Sequence, residues 1–324
     1  MSDTLTPATR SRTGGDRPRE RLPRWFKRPL GKGEEYNRVK GLVSGLDLHT
    51  VCQEARCPNQ GECWTIGTAT FMILGDVCTR GCRYCAVAKG KPPTLDLGEP
   101  RRLAEAVRSM NLRHVVITSV DRDDLPDGGA EIWAECIRRI RETSPGTAVE
   151  VLIPDFRNAP ESALERVMAE RPDILNHNIE TAPRLFPVAR KGGDYAFSLD
   201  VLRRAKALQP DIPTKSGMMV GLGETDAEIL QVLHDLRAVD VDIVTIGQYL
   251  APEKSAFYLP VDRFVTPEEF TEWTRTCRRL GFKHGECGPL VRSSYHAEQQ
   301  AAGQRPSEVL GGDAAPTAGS GAEA

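Results

Sequence analysis

A single α/β domain, built as a parallel and partly open barrel of six βα units, is the fold this sequence predicts. Short apolar runs alternate with amphipathic stretches through the middle of the chain, which is the pattern of repeated βα units. The pair recurs six times, too few to close an eight-stranded barrel. A length of 324 residues with 40% hydrophobic content is enough for one large core.

The strands expected are Thr70–Leu74, His114–Ser119, Ala148–Ile153, Ile174–Ile179, Thr214–Val220 and Ile243–Ile246. Each is an apolar run of strand length followed by a helical pattern. The helices expected are 99–111, 129–143, 160–170, 198–209, 225–239 and 267–281. Pro160, Ser198, Thr225 and Thr266 stand near helix starts, where a first-turn proline or a capping hydroxyl belongs. By analogy with complete barrels, the active site is expected at the C-terminal ends of the strands.

The flanks differ in kind. Residues 1–21 and 304–324 hold little apolar content, cannot offset the entropy of ordering, and are expected to be disordered tails. Between them lie an N-terminal extension at 22–69, the barrel at 70–285 and a C-terminal element at 286–303. The aromatic and basic stretch after Leu22 reads as an extended arm packing Trp25 and Phe26 onto the core. With 43 basic and 45 acidic residues the net charge is −2, so there is no electrostatic case for a nucleic-acid partner. No apolar run is long enough to span a bilayer. The Arg-rich N-terminus lacks the apolar core of a secretion signal. A soluble cytoplasmic protein without membrane contact is therefore expected.

Chemistry concentrates in six of the nine cysteines, which form two triplets, Cys52-x4-Cys57-x5-Cys63 and Cys78-x3-Cys82-x2-Cys85. Each triplet offers three thiolates to a four-iron cube and leaves one iron open. A zinc knuckle would pair its ligands as two short Cys ribbons or add nearby histidines, and neither pattern occurs. A disulfide framework suits short secreted chains. Cys136, Cys277 and Cys287 have no triplet, and the first two fall on expected helices as small buried hydrophobes.

The segment Asp76-Val-Cys-Thr-Arg-Gly-Cys-Arg-Tyr-Cys85 resembles the radical S-adenosylmethionine superfamily. The stretch from His49 to Trp64 holding the first triplet resembles the auxiliary-cluster segment of lipoyl synthases, and the likeness continues through Ala69–Asp76. Near the C-terminus, Gly288-Pro-Leu-Val-Arg-Ser-Ser-Tyr295 is similar to the same family's Arg-Ser-Ser-Tyr element. The resemblance runs over about residues 22–300. It implies a partial barrel of the radical S-adenosylmethionine type with two 4Fe-4S clusters. One is held by Cys78, Cys82 and Cys85, and its open iron chelates S-adenosylmethionine. The other, auxiliary cluster is held by Cys52, Cys57, Cys63 and a serine oxygen, from Ser293 or Ser294, with Ser293 slightly favoured. A hard alkoxide is a poorer iron ligand than thiolate in such a cluster, which suits a cluster that is dismantled as the sulfur source.

Several loops at the strand ends carry further candidates. Gly128 and Gly129, closing Val120–Gly129, allow close backbone approach and resemble the superfamily's Gly-Gly element that binds the methionyl amine; a tight turn before a helix is the alternative. Asn178 and Glu180, in Asn176–Thr181, resemble cofactor contacts of the family, while His177 reads as a structural histidine. Ser216, in a Lys215–Thr225 stretch that resembles the family, is a candidate for the cofactor ribose. The glycines of that stretch do not fit Gly-x-Gly-x-x-Gly. Gln248 and Tyr249 are candidates for substrate contact or for packing.

The activity implied is insertion of two sulfur atoms at C6 and C8 of an octanoyl chain on a lysine of a lipoyl carrier domain. The carriers implied are the glycine cleavage H protein and the E2 subunits of 2-oxoacid dehydrogenases, and the electron donor is a ferredoxin or flavodoxin. Unactivated methylenes have no acidity for a base to exploit, which is why a radical route is needed. A different radical enzyme with an auxiliary cluster would not need the Arg292–Tyr295 element. An iron-sulfur electron carrier would ligate each cube with four cysteines.

Overall fold

The computed structural model describes residues 22–27, 31–66, 68–295 and 297; both expected tails lie outside them. The elements run in the order α1 (Glu34–Gly45), β1 (His49–Thr50), α2 (Val51–Glu54), α3 (Gln60–Thr65), β2 (Thr70–Ile73), β3 (Val77–Cys78), β4 (Ala88–Lys89) and α4 (Glu99–Met110). There follow β5 (His114–Ser119), α5 (Ala130–Thr143), β6 (Ala148–Leu152), α6 (Ser162–Ala169), β7 (Ile174–Asn176), α7 (Phe186–Ala189) and α8 (Tyr195–Leu208). The chain continues with β8 (Thr214–Val220), α9 (Asp226–Ala238), β9 (Ile243–Gln248), α10 (Pro267–Arg279) and β10 (His284–Gly288).

The main sheet has the order β1-β2-β5-β6-β7-β8-β9-β10. Every pair is parallel except β1 on β2. All six expected strands are present as neighbours, so the partial α/β barrel stands. The sheet also has a seventh parallel strand, β10, pairing Cys287 with Ile246, that the sequence reading missed. Its His-Gly-Glu-Cys-Gly content has no apolar run, and only the free edge of β9 makes it a strand. It straddles the boundary expected between barrel and C-terminal element.

Helix stripes explain the layering. In α5, Trp133, Cys136, Ile137 and Ile140 recur at helical spacing and are fully buried, each large side chain contributing about 1.5–3 kcal/mol on burial. Thr225 and Thr266 cap α9 and α10 in complete capping boxes with Glu228 and Glu269, worth about 1 kcal/mol per cap. Ser198 is not a cap. It is buried inside α8, which begins three residues earlier because the Asp194 carboxylate accepts from Phe197 N. Likewise α6 starts at Ser162, just after Pro160.

Two strand ends stop short of their apolar runs. Leu74 adopts φ 69° and its N–H donates to the Glu99 carboxylate at 2.7 Å, so β2 ends at Ile73. Beyond Asn176 the chain leaves β7, Ile179 N donates to Ser216 Oγ, and Glu180, at φ 67°, rejoins β8 in a lone bridge to Met218. The arm expected to be extended instead makes a 3-10 turn at Arg24–Phe26, followed after Gly33 by α1. Phe26 is buried against Phe264, with ring centroids 5.5 Å apart, whereas Trp25 is exposed.

Candidate functional site

The first triplet is shaped by two short helices. Thr50 caps α2, its Oγ1 accepting from Gln53 N, and seats Cys52 in a buried turn. Cys57 N donates to Cys52 O at 3.0 Å, and Cys63 N to Asn59 O at 2.9 Å, which folds the three thiols toward one cavity. That cavity is lined by Cys52, Cys57, Cys63, His114, Arg292 and Ser294, among others. The C-terminal segment is fastened to this extension from two sides: Asn59 Nδ2 donates to Leu290 O at 2.7 Å and Tyr295 OH to Glu62 Oε1 at 2.9 Å. Burial and the neighbouring thiols push Cys52 up to about 11 and Cys63 up to about 12. Burial also raises Cys57, with the Arg292 guanidinium opposing.

The second triplet occupies a loop that leaves β2 and is clipped by the parallel pair β3 and β4. Gly90 N donates to Cys78 O, and Cys78 Sγ accepts from Arg80 N and Asp121 N, both at 3.4 Å. Arg80, between the first two cysteines, is the loop's anchor. Its guanidinium forks onto the Asp123 carboxylate, reaches Asp155 Oδ1 at 3.1 Å, and donates to Gly192 O at 2.8 Å. Burial pushes Cys78 up to about 11 and Cys82 up to about 12. Burial likewise lifts Asp121 to about 6 against the pull of Arg80 and Arg190.

The donor chemistry fits iron-sulfur clusters. Each site holds three largely desolvated thiols, all raised against ionisation, and a thiolate set of this kind is stabilised by bound metal. Among the described residues, no three His, Cys, Asp or Glu side chains converge closely enough to hold a single metal ion.

Asn178 and Glu180 lie beside the second triplet. Glu180 is raised by burial, with Arg190 opposing and the Tyr84 and Asn178 side chains within hydrogen-bonding reach. Arg190 Nη1 donates to Asn178 O at 2.8 Å. The two serines of the C-terminal element diverge: Ser294 lines the cavity of the first triplet, while Ser293 Oγ donates to Asn178 Oδ1 at 2.7 Å. Ser294, and not the slightly favoured Ser293, thus stands on the wall of the thiols' cavity.

Other expected residues are committed elsewhere. Ser216 points away from the barrel interior, since Lys215 and Gly217 on either side face inward and strand side chains alternate; its fully buried hydroxyl accepts from Ile179 N. It therefore cannot reach a ribose in that interior. Gly128 and Gly129 form the turn into α5 at φ 62° and 86°. A Cβ at Gly129 would sit 2.5 Å from Leu74 Cδ1, so close packing accounts for that glycine. Gln248 is consumed by four main-chain contacts and Tyr249 OH donates to Leu259 O, which makes both packing residues. His177 is fully buried with Nδ1 against Ile153 O at 3.0 Å, a structural placement.

Arg80, Asp121, Arg190 and Arg292 were not singled out from sequence. Arg80 and Arg292 lie inside the motifs themselves, and a positive charge between two cysteines or just ahead of the serine pair was the available signal. Arg190 carried none, because only the fold brings the turn after α7 to the cluster loop.

Residues 72–236 match the family described as the Radical SAM superfamily, and residues 6–57 match the N-terminal domain of lipoyl synthase of that family. The chain is 55% identical to a lipoyl synthase of Laribacter hongkongensis over 281 residues, 87% of this chain and 89% of that protein. It is 55% identical to a lipoyl synthase of Thiobacillus denitrificans over 284 residues, 88% of this chain and 91% of that one. In fold it is similar to the solved FeFe-hydrogenase maturase HydG from Carboxydothermus hydrogenoformans, with a TM-score of 0.54, 15% identity, and coverage of 82% of this chain and 68% of that one.

Proposed function

Because the chain belongs to the lipoyl synthase family of the radical S-adenosylmethionine superfamily, we propose that it inserts two sulfur atoms into the octanoyl chain of a lipoyl carrier protein, at C6 and C8. The observation that carries the reading is a second set of three cysteines around one cavity, joined by Ser294 and Arg292, beside the interior of the same barrel that bears the superfamily's cluster loop. Another radical enzyme could carry a second donor set, but it would not need the Arg292–Tyr295 element that sets Ser294 on the wall of that cavity.

Cys78, Cys82 and Cys85 would hold the cluster that binds S-adenosylmethionine. Cys52, Cys57 and Cys63, with Ser294, would hold the auxiliary cluster. When bound, these groups supply an adenosyl radical able to take hydrogen from a methylene, and sulfide to replace it. The protein supplies positioning. Arg80 fixes the shape of the first loop through Asp123, Asp155 and Gly192. Asn178 and Glu180 form a polar wall beside it, held by Arg190, suited to the charged methionyl end of the cofactor. Arg292 places a partly buried cation next to Cys57, offsetting thiolate charge that burial disfavours. No helix among the described residues is long and apolar enough to cross a membrane.

The test is anaerobic turnover of the reconstituted chain with S-adenosylmethionine, dithionite and an octanoylated H protein or E2 lipoyl domain. A mass gain of two sulfurs on the carrier is expected. Formation of 5′-deoxyadenosine with the octanoyl group left intact on both carriers would point to another radical reaction. A protein that binds one cube instead of two would remove the sulfur source from the proposal.

A further inference from the structure

We propose that Ser293 is a positioning residue that ties the segment bearing Ser294 to the strand end beside the S-adenosylmethionine loop, so that occupancy of one site governs how firmly the other site's serine is seated. The inference rests on the lipoyl synthase reading for the role of Ser294. Two adjacent serines in one turn serve opposite directions: Ser294 faces the cavity of Cys52, Cys57 and Cys63, and Ser293 Oγ donates to Asn178 Oδ1 at 2.7 Å. Space for that bond is made on β8 by Gly217. A Cβ there would lie 2.5 Å from Ser293 Oγ and 2.8 Å from Asn178 Oδ1, so any side chain at 217 would force the pair apart.

Asn178 is itself well held. Its carbonyl accepts from Arg190 Nη1 at 2.8 Å, and its side chain lies within reach of Glu180. The Ser293 bond thus crosses from the C-terminal segment to the polar wall beside the second triplet. On its other side the same segment is held by Asn59 at Leu290 and by Glu62 at Tyr295. A serine oxygen carried on such a turn is placed by its neighbours' bonds, and a bond shared between two sites couples them reciprocally.

The experiment follows iron release to a ferrous chelator from the anaerobically reconstituted full chain, with and without S-adenosylmethionine and with no reductant, so that nothing turns over. In the wild type, S-adenosylmethionine is expected to slow release from the auxiliary cluster. Ser293→Ala should release that iron about tenfold faster, the factor set by losing one partly buried hydrogen bond of roughly 1.4 kcal/mol, and should lose the response to S-adenosylmethionine. Asn178→Ser removes the same bond from its other end and serves if the first variant does not fold; because Asn178 also stands in the cofactor's polar wall, it is compared on release without S-adenosylmethionine. The double variant should be no worse than either single one, as for partners in one interaction. Wild-type release with an intact response in Ser293→Ala, or additive losses in the double variant, would overturn the proposal. So would a changed auxiliary-cluster Mössbauer spectrum in Ser293→Ala with none in Ser294→Ala, since Ser293 would then be the ligand. The lipoyl synthase reading fails on other grounds, a wild-type chain that binds a single cube or leaves octanoyl carriers unthiolated.

Discussion

Replacing Arg80 by alanine removes three ties from the cluster loop at once. The side chain is 7% exposed, forks onto Asp123 and bonds Asp155, whose side chain is fully buried, at 3.1 Å. Deleting one member of a buried ion pair costs about 3–5 kcal/mol because its partner stays charged and dry. Here the loss sits at the low end, about 3 kcal/mol, since Asp123 is 23% exposed and Asp155 keeps Arg190 at 4.0 Å. For a chain of this size that lowers the melting temperature by roughly 4–6 °C. The loop that Arg80 braces presents Cys78 and Cys82, so the reconstituted variant should also fall by up to about four irons, one cube, while the other triplet keeps its own. Arg80→Lys should recover only part of both losses, because an ammonium cannot fork across a carboxylate. Thermal unfolding and anaerobic iron counting read the outcome. An Arg80→Ala protein that melts within about 1 °C of wild type with undiminished iron would refute the reasoning that this bridge shapes the site.

Inside the barrel, burial pushes Glu150 up, but Lys215 at 2.9 Å and His114 at 3.3 Å more than offset it and leave the carboxyl at about 2, below its ordinary 4.5. A depressed carboxylate gives stability that is complete above its unfolded value and fades as pH falls toward the folded one, so urea midpoints should drop between pH 4.5 and 2. Glu150→Gln should flatten that slope and lose about 3–5 kcal/mol at pH 7 by stranding Lys215; an unchanged midpoint would contradict it. Cys82→Ala should abolish 5′-deoxyadenosine formation, whereas Cys57→Ala should still cleave S-adenosylmethionine and yield no thiolated carrier; product analysis separates the two. Gly129→Ala should cost about 2–3 kcal/mol from the left-handed backbone and the collision with Leu74, with the KM for S-adenosylmethionine unaltered. A raised KM without loss of stability would return Gly129 to the cofactor site.

The repeating βα pattern and the ligand sets were legible because both are local. Cysteine spacing within each triplet is set by a few residues of chain, and a strand such as Val115–Ile117 announces itself by apolar content. What was not legible depended on partners distant in sequence. Strand β10 has no apolar run, and it forms because β9 offers an unpaired edge. Trp25 and Phe26 look alike on paper, yet only Phe26 meets Phe264. The donor types, three thiols twice over with an Arg-Ser-Ser-Tyr tail, were determined by sequence alone, since ligand chemistry belongs to the residue and its spacing. Which serine faces the thiols, and that Ser216 turns its hydroxyl away from the interior, was decided by tertiary structure. Strand alternation and a turn anchored through Asn59 and Asn178 assign side-chain direction only after segments more than a hundred residues apart have packed together.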